Sequence, residues 1–290
     1  MPPNWGSWRR RTRSVTRRKG GDLLGYDHID RPQRQGLRAL VSSWFSGSEI
    51  RPRRRHKLRA GERVYAVGDI HGCSRQLDAL LARITSEPAD GVSRRFLVFL
   101  GDYIDRGPDS KGVIERLLTP PAGFETSVLR GNHDQTLLDF LADPVVYRVW
   151  REFGGRDTLM SYGVEPPLFD QVEDFERARN DLAAALPIEH RQFLEGLQPS
   201  VSIGGYYFTH AGVRPGVALE SQTSEDLMWI RDDFLNSRQD FGAIVVHGHT
   251  PTAQPVVKRN RIGVDTGAYA TGCLTAAVLD GDKCRFISVR

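Results

Sequence analysis

Only three cysteines occur in 290 residues, and Cys73, Cys273 and Cys284 form no CxxC pair. An odd, unpaired count argues against a disulfide framework and against an all-thiolate zinc site. With no secretory leader in the sequence, it leads to the expectation of reduced thiols in a cytoplasm. Cysteine-dependent phosphoryl transfer is also excluded. Ala79 and Leu279 stand where a CxxxxxR loop would need arginine, and Cys284 reaches Arg290 with no loop around the match. No apolar run approaches the roughly 20 residues of a membrane-spanning helix. Acidic residues are scarce at one end: residues 1–59 hold 16 Lys or Arg against 4 Asp or Glu, while residues 60–290 hold 24 against 32. The basic character therefore belongs to an N-terminal segment and not to the rest of the chain.

That segment reads as a separate unit. "RRRTRSVTRRKGG" is a like-charge run with few apolar residues, so residues 1–35 are expected to be disordered. An arginine-rich start has the character of a transit peptide, but Asp22, Asp27 and Asp30 argue against one. Leu37, Leu40, Val41, Trp44 and Phe45 recur on one helical face. A short helix docked on the following domain and a helix for a membrane surface or partner are both open readings of that stripe. "RPRRRHKLR", residues 51–59, reads as a linker. The expected organisation is a basic, largely disordered arm over 1–59 and a globular domain over 60–290, with the arm able to contact a polyanion or an acidic surface.

From Arg63 onward short apolar runs alternate with helical stretches. "RVYAV", a helix near 74–85, "FLVFL", a helix near 109–118 and "TSVLR" are followed by helices between about 134 and 197. Then come "YYFTH", "AIVVH", "RIGVD", "LTAAVLD" and "CRFISV". The mixture predicts α/β layers on a largely buried sheet.

The chemistry lies where the strands stop. "VYAV" runs into Gly68-Asp69-Ile70-His71-Gly72, "FLVFL" into Gly101-Asp102, and "SVL" into Arg130-Gly131-Asn132-His133-Asp134. "YYFT" runs into His210 and "AIVV" into His247-Gly248-His249. Five of the eight histidines fall in these loops, at the strand ends where α/β sheets bind ligands. A lone Asp-x-His is usually a hydrogen-bonded turn. Together these loops supply carboxylate, imidazole and amide donors, a set suited to manganese, iron or zinc. On an extended chain Asp69 and His71 would project the same way, and Asn132 and His133 opposite ways.

"GDIHG", "GDYIDRG", "RGNHD" and a later "H…HGH" occur in the order of the signature blocks of the phosphoprotein phosphatases, calcineurin-like metallophosphoesterases. The resemblance spans about Val64 to the C terminus. "THAGVRPG", "DLMWIRDDFL" and "HGHTP" resemble its bacterial serine/threonine phosphatase branch. It implies a sandwich of two mixed β-sheets flanked by α-helices and a pair of divalent cations, with manganese foremost and iron or zinc as alternatives. By the same resemblance, Asp69 and His71 would bind the first cation, Asp102 would bridge both, and Asn132, His210 and His249 would complete the second site. His133 would donate a proton, oriented by Asp105, while Arg106 and Arg231 would bind phosphate oxygens. His247 has no assigned role and is expected to be structural. Cys73 is expected to be packing, with a thiol open to oxidation as the other reading.

The leading functional expectation is a protein serine/threonine phosphatase acting on phosphoprotein or phosphopeptide by direct attack of a cation-bridging hydroxide. The alternative is a hydrolase of dinucleoside polyphosphates or capped RNA. A catalytically inactive binding module is the third reading, and it would require a missing ligand or acid.

Overall fold

The computed structural model describes residues 56–290. The helix expected near 37–45 and most of the arm lie outside them. The chain alternates as expected: β1 (Glu62–Val67), α1 (Ser74–Thr85), β2 (Arg94–Phe99), α2 (Ser110–Leu118), β3 (Glu125–Val128) and α3 (Asn132–Ala142). A run of short helices follows. It comprises a 3₁₀ turn (Pro144–Val146), α4 (Tyr147–Trp150), a second 3₁₀ turn (Arg151–Phe153), α5 (Gly155–Ser161), α6 (Val172–Ala185) and α7 (Ile188–Glu195). The rest is mostly strand: β4 (Ser200–Ile203), β5 (Tyr206–Thr209), α8 (Ser224–Trp229), α9 (Asp232–Leu235), β6 (Ile244–His247), β7 (Val256–Val257), β8 (Arg261–Gly263), α10 (Ala268–Thr271), β9 (Leu274–Asp280) and β10 (Lys283–Val289).

Two mixed five-stranded sheets result, ordered β10-β9-β1-β2-β3 and β4-β5-β6-β8-β7. β1, β2 and β3 are parallel, with β9 and β10 antiparallel on one edge. In the second sheet β5, β6 and β8 are parallel, with β4 and β7 antiparallel at the edges. The period-two alternation of each strand explains the layering. Tyr65, Val67, Leu97 and Phe99 pack with Leu77 and Leu81 of α1 and Val113 of α2. Their neighbours Val64, Ala66, Phe96 and Val98 pack with Phe208, Val246 and Ile262 of the other sheet. Tyr207 and Val245, on that sheet's far face, meet Leu227 and Phe234. Strands buried on both faces read as continuous apolar runs, which is why these were visible in the sequence.

β4 and β7 were not. β4 carries two serines and is only partly buried, and β7 is a two-residue edge. α2 begins one residue after the expected helix start, because the Asp109 carboxylate caps it by accepting the Gly112 N–H at 2.9 Å.

The segment read as a linker ends differently. Leu58 is only 2% exposed and packs in the core between the sheets. Its N–H donates to the Gly281 carbonyl at 3.0 Å, and the Lys57 carbonyl accepts from the Gly205 N–H at 3.1 Å. Residues 57–58 are thus part of the fold. Leu58→Ala is expected to destabilise the protein by about 2–5 kcal/mol, read as a shift in the urea midpoint. A midpoint unchanged from wild type would show that the contact contributes nothing.

Candidate metal centre

The parallel strands deliver their loops to one place. Asp69 and His71 follow β1, Asp102 to Arg106 follow β2, and Asn132 and His133 open α3 just after β3. His210 follows β5 and His249 follows β6, so both sheets contribute.

Asp102 is the node. Its Oδ1 accepts the His133 N–H at 3.0 Å, at the positive N-terminal end of α3. Its Oδ2 lies 3.4 Å from His210 Nε2, 3.5 Å from His71 Nε2 and 3.9 Å from His133 Nε2. Two buried donor groups share it: His71, Asp102 and His133 offer ligand atoms within 4.8 Å of one another, and so do Asp102, His210 and His249. Asn132 Oδ1 stands 3.0 Å from His210 Nε2, beside the second group. Asn132 and His133 do diverge, since the His133 Nδ1–H donates to Asp105 Oδ2 at 2.7 Å.

Asp69 is placed differently from the extended-chain geometry. His71 has φ of 45°, so the Asp69–His71 stretch turns. The Asp69 carboxylate accepts the His249 N–H at 3.0 and 3.1 Å, which joins the β1 loop to the β6 loop. Arg106 donates to His71 Nε2 at 2.8 Å and lies 4.8 Å over the Tyr269 ring. Arg231, exposed at the start of α9, is close enough for its charge to help depress His249.

All five non-glycine residues with left-handed backbone among the described residues belong to these loops: His71, Asp102, Asp105, Arg106 and His249, with φ between 45° and 72°. Such conformations cost on the order of 1–3 kcal/mol each and persist only where the surroundings over-determine them. Asp134 holds the turn that carries Asp102. Its carboxylate accepts the N–H groups of Asp102, Tyr103 and Gly131, at 2.9, 3.0 and 2.9 Å. Two glycines let carboxylates lie against backbone: a Cβ at Gly131 would sit 2.1 Å from Asp102 Oδ1, and one at Gly248 would sit 2.0 Å from Asp69 Oδ1.

Asp105 is saturated. Besides His133, its carboxylate accepts Trp150 Nε1–H at 2.8 Å and the Thr158 hydroxyl at 2.6 Å. Asp134, Trp150, Thr158 and Asp265 are the site residues that sequence reasoning missed. Asp134 was visible inside "RGNHD"; the others come from distant segments with no local pattern.

The electrostatics fit cations. Burial and the Asp265 and Asp102 carboxylates push Asp69 well above the usual carboxylate range. Burial and Asp102 push Asp134 up to about 7, and Asp265 is raised chiefly by burial. Against burial, the charge of His210 above all holds Asp102 well below the usual range. Burial lowers His71 to about 3 and His249 to about 2, which keeps both imidazoles neutral, the His71 Nε2 lone pair accepting from Arg106. Burial works against His210 too, but Asp102, Asp69 and Asp134 raise it to about 9. Its geometry agrees: Nδ1–H donates to the Leu100 carbonyl at 3.0 Å and Nε2–H to Asn132 Oδ1. The buried His249 Nε2 has no hydrogen-bond partner. A crowd of buried carboxylates, neutral imidazoles and an orphaned ring nitrogen form a donor set that divalent cations fit.

His247 faces away, its ring 5.0 Å from Phe234 and its Nδ1–H donating to the Gly248 carbonyl at 3.0 Å. Cys73 is buried, and burial pushes its thiol up to about 11, which argues against a reactive thiolate. Three aromatic rings flank the histidines: Tyr269 beside His71 at 5.3 Å, Phe153 beside His133 at 6.0 Å and Trp229 beside His249 at 6.4 Å.

This chain belongs to the calcineurin-like phosphoesterases, whose family model matches residues 62–276. It is similar to the bis(5'-nucleosyl)-tetraphosphatase PrpE [asymmetrical] of Anoxybacillus flavithermus, 25% identical over 230 residues, 72% of this chain and 87% of that protein. It is also similar to serine/threonine-protein phosphatase 1 of Salmonella typhimurium, 31% identical over 219 residues, 74% of this chain and 90% of that protein. The crystal structure of a candidate diadenosine tetraphosphatase shares the fold with a TM-score of 0.54 at 24% identity, covering 80% of this chain and 95% of that one. Family and fold agree with the resemblance, and divalent cations are the family's cofactors. Among the described residues no helix is long and apolar enough to cross a membrane.

Cation uptake near neutral pH is expected to release protons, since His210, raised to about 9, must lose one to become a ligand. Apparent affinity should therefore rise as pH climbs toward about 9. Calorimetric titration with Mn²⁺ in buffers of different ionisation enthalpy reads the release directly. Proton-neutral, pH-independent binding would contradict the charge distribution.

Proposed function

We propose that this chain hydrolyses dinucleoside polyphosphates, cleaving a phosphoanhydride between two nucleotides. The observation that carries the reading is the similarity to a bis(5'-nucleosyl)-tetraphosphatase across 72% of the chain. The partly exposed aromatic rings around the histidines support it, because base stacking is a chemistry that a simple phosphate site would not need. The leading sequence expectation, a protein serine/threonine phosphatase, has less support. It stands as the second reading, favoured by the Salmonella relative. Against an inactive binding module stand the buried clustering of His71, Asp102, His210 and His249 and the hydrogen-bonded His133–Asp105 pair.

Asp69, His71, Asp102, Asn132, His210 and His249 would hold the cations. When bound, two divalent cations neutralise phosphoryl oxygens and make water a nucleophile at neutral pH. The chain's own groups do the rest. Arg106 and Arg231, on either side of the centre, offer planar donors to phosphate oxygens. Binding phosphate requires Arg106 to exchange its contact with His71 for the substrate, with Tyr269 as its platform. His133 is fixed through Nδ1, which leaves Nε2 turned to the cluster, 3.9 Å from Asp102 Oδ2, where a phosphoryl group would bind. There, in its protonated form, it gives a proton to the leaving oxygen. Trp150 and Thr158 keep Asp105 in the orientation that holds this tautomer.

The leaving group separates the two readings. A nucleotide phosphate leaves readily, whereas a serine alkoxide needs its proton. His133→Asn is expected to slow phosphoserine-peptide hydrolysis by on the order of 10²–10⁴ and diadenosine tetraphosphate hydrolysis by much less. A panel of diadenosine tetraphosphate, a capped dinucleotide and a phosphopeptide, run on wild type and variant, tests both points. Wild-type cleavage of the phosphopeptide alone would overturn the proposal.

A further inference from the structure

Residues 144–153 form one right-handed helical run with two faces. Inward, Tyr147 and Trp150 are fully buried, and the indole N–H of Trp150 reaches Asp105 at 2.8 Å. Outward, Val145, Val149 and Phe153, spaced four residues apart, share one face and are 38%, 42% and 36% exposed. The same helix therefore holds the carboxylate that orients His133 and presents an apolar stripe to solvent.

The stripe ends at the reacting centre. The Phe153 ring lies edge-on to His133, 6.0 Å between centroids at 71°. Its backbone is pinned on both sides. Trp150 anchors the turn before it, packed 4.9 Å from the Phe140 ring. After it, Gly154 has φ of 100°, its carbonyl accepts the Arg106 N–H at 3.3 Å, and a Cβ there would meet Arg106 N at 2.6 Å. Phe153 is thus an exposed phenyl group fixed beside both the proton donor and a phosphate-binding arginine. The Arg148–Asp170 ion pair, at 2.9 Å, ties to this helix the loop that carries exposed Leu168 and Phe169.

A proton donor stands on the side where the leaving group departs. We infer that Phe153 is the stacking platform for the purine base of the leaving nucleotide, with Val149 extending that subsite along the helix. This inference rests on the proposed dinucleoside polyphosphate hydrolysis and names where one half of that substrate lies. Both rings are partly exposed, Tyr269 at 42% and Phe153 at 36%, but Tyr269 stacks on Arg106 on the His71 side, whereas Phe153 is the ring in edge contact with the proton donor.

The test uses the cation-loaded full chain and three variants: Phe153→Ala, Phe153→Trp and Val149→Ala. Hydrolysis of diadenosine tetraphosphate is measured alone and in competition with ATP or with inorganic tripolyphosphate, which lacks a base. In Phe153→Ala, kcat/KM should fall on the order of tenfold to a hundredfold, chiefly through KM. The ATP inhibition constant should rise in parallel while that of tripolyphosphate shifts less than twofold. Phe153→Trp should bind ATP at least as well as wild type, and Val149→Ala should show a smaller loss of the same kind. Equal weakening of ATP and tripolyphosphate, or no weakening of either, would overturn the subsite alone. A wild-type chain that leaves diadenosine tetraphosphate intact would overturn the functional reading, and the subsite with it.

Discussion

One carboxylate organises this molecule. Asp102 stands at the end of a central strand of one sheet and faces His210 from the other sheet, His71 from the neighbouring strand and the first turn of α3. Its backbone carbonyl accepts the N–H groups of Ile70 and His71, and its own N–H is taken by Asp134. A charge so deeply buried is stable only with opposite charge close by. The raised His210 supplies some of that charge, and divalent cations would supply more. The left-handed conformations at His71, Asp102, Asp105, Arg106 and His249 follow from the same requirement. Hydrogen bonds from the Asp102 N–H to Asp134 and from the Arg106 N–H to the Gly154 carbonyl hold two of these shapes in place.

A second level of order surrounds that node. Asp134 clamps the turn that carries Asp102. The Trp150 and Thr158 side chains, from α4 and α5, clamp Asp105. The helices between α3 and β4 are thus more than a cover for the first sheet. Their inner face sets the orientation of His133, and their outer face carries the exposed apolar stripe that reaches Phe153. Fixing the proton donor and presenting a surface to the substrate are done by opposite sides of one short helix. The groups offered to cations, by contrast, come from the strand ends.

Much of this was legible in the sequence because it is local. A buried parallel strand leaves a continuous apolar run, and a strand-end ligand leaves Asp, Asn or His immediately after it. "FLVFLGDYIDRG" carried both signals, and Asp102 and Asp105 do find separate partners across a tight turn. What was not legible is convergence. Trp150 lies 45 residues and Thr158 53 residues from Asp105 in the chain. Asp265 sits near Asp69 only because β8 pairs beside β6. The expected pairing of Asp69 with His71 assumed an extended chain, whereas His71 has φ of 45° and the Asp69 carboxylate accepts the His249 N–H. β4 and β7 lack the apolar density of central strands. The linker reading stopped at a charge pattern and passed over Leu58, whose burial depends on both sheets being in place.

The buried carboxylate–imidazole cluster would hold divalent cations, with Asp102 shared between them. Metal analysis after Mn²⁺ loading and gel filtration, on wild type and Asp102→Asn, tests it most directly. The account predicts two cations per wild-type chain, and almost none in a folded Asp102→Asn protein. A wild-type chain that retains no divalent cation, or an Asp102→Asn chain that retains two, would contradict it.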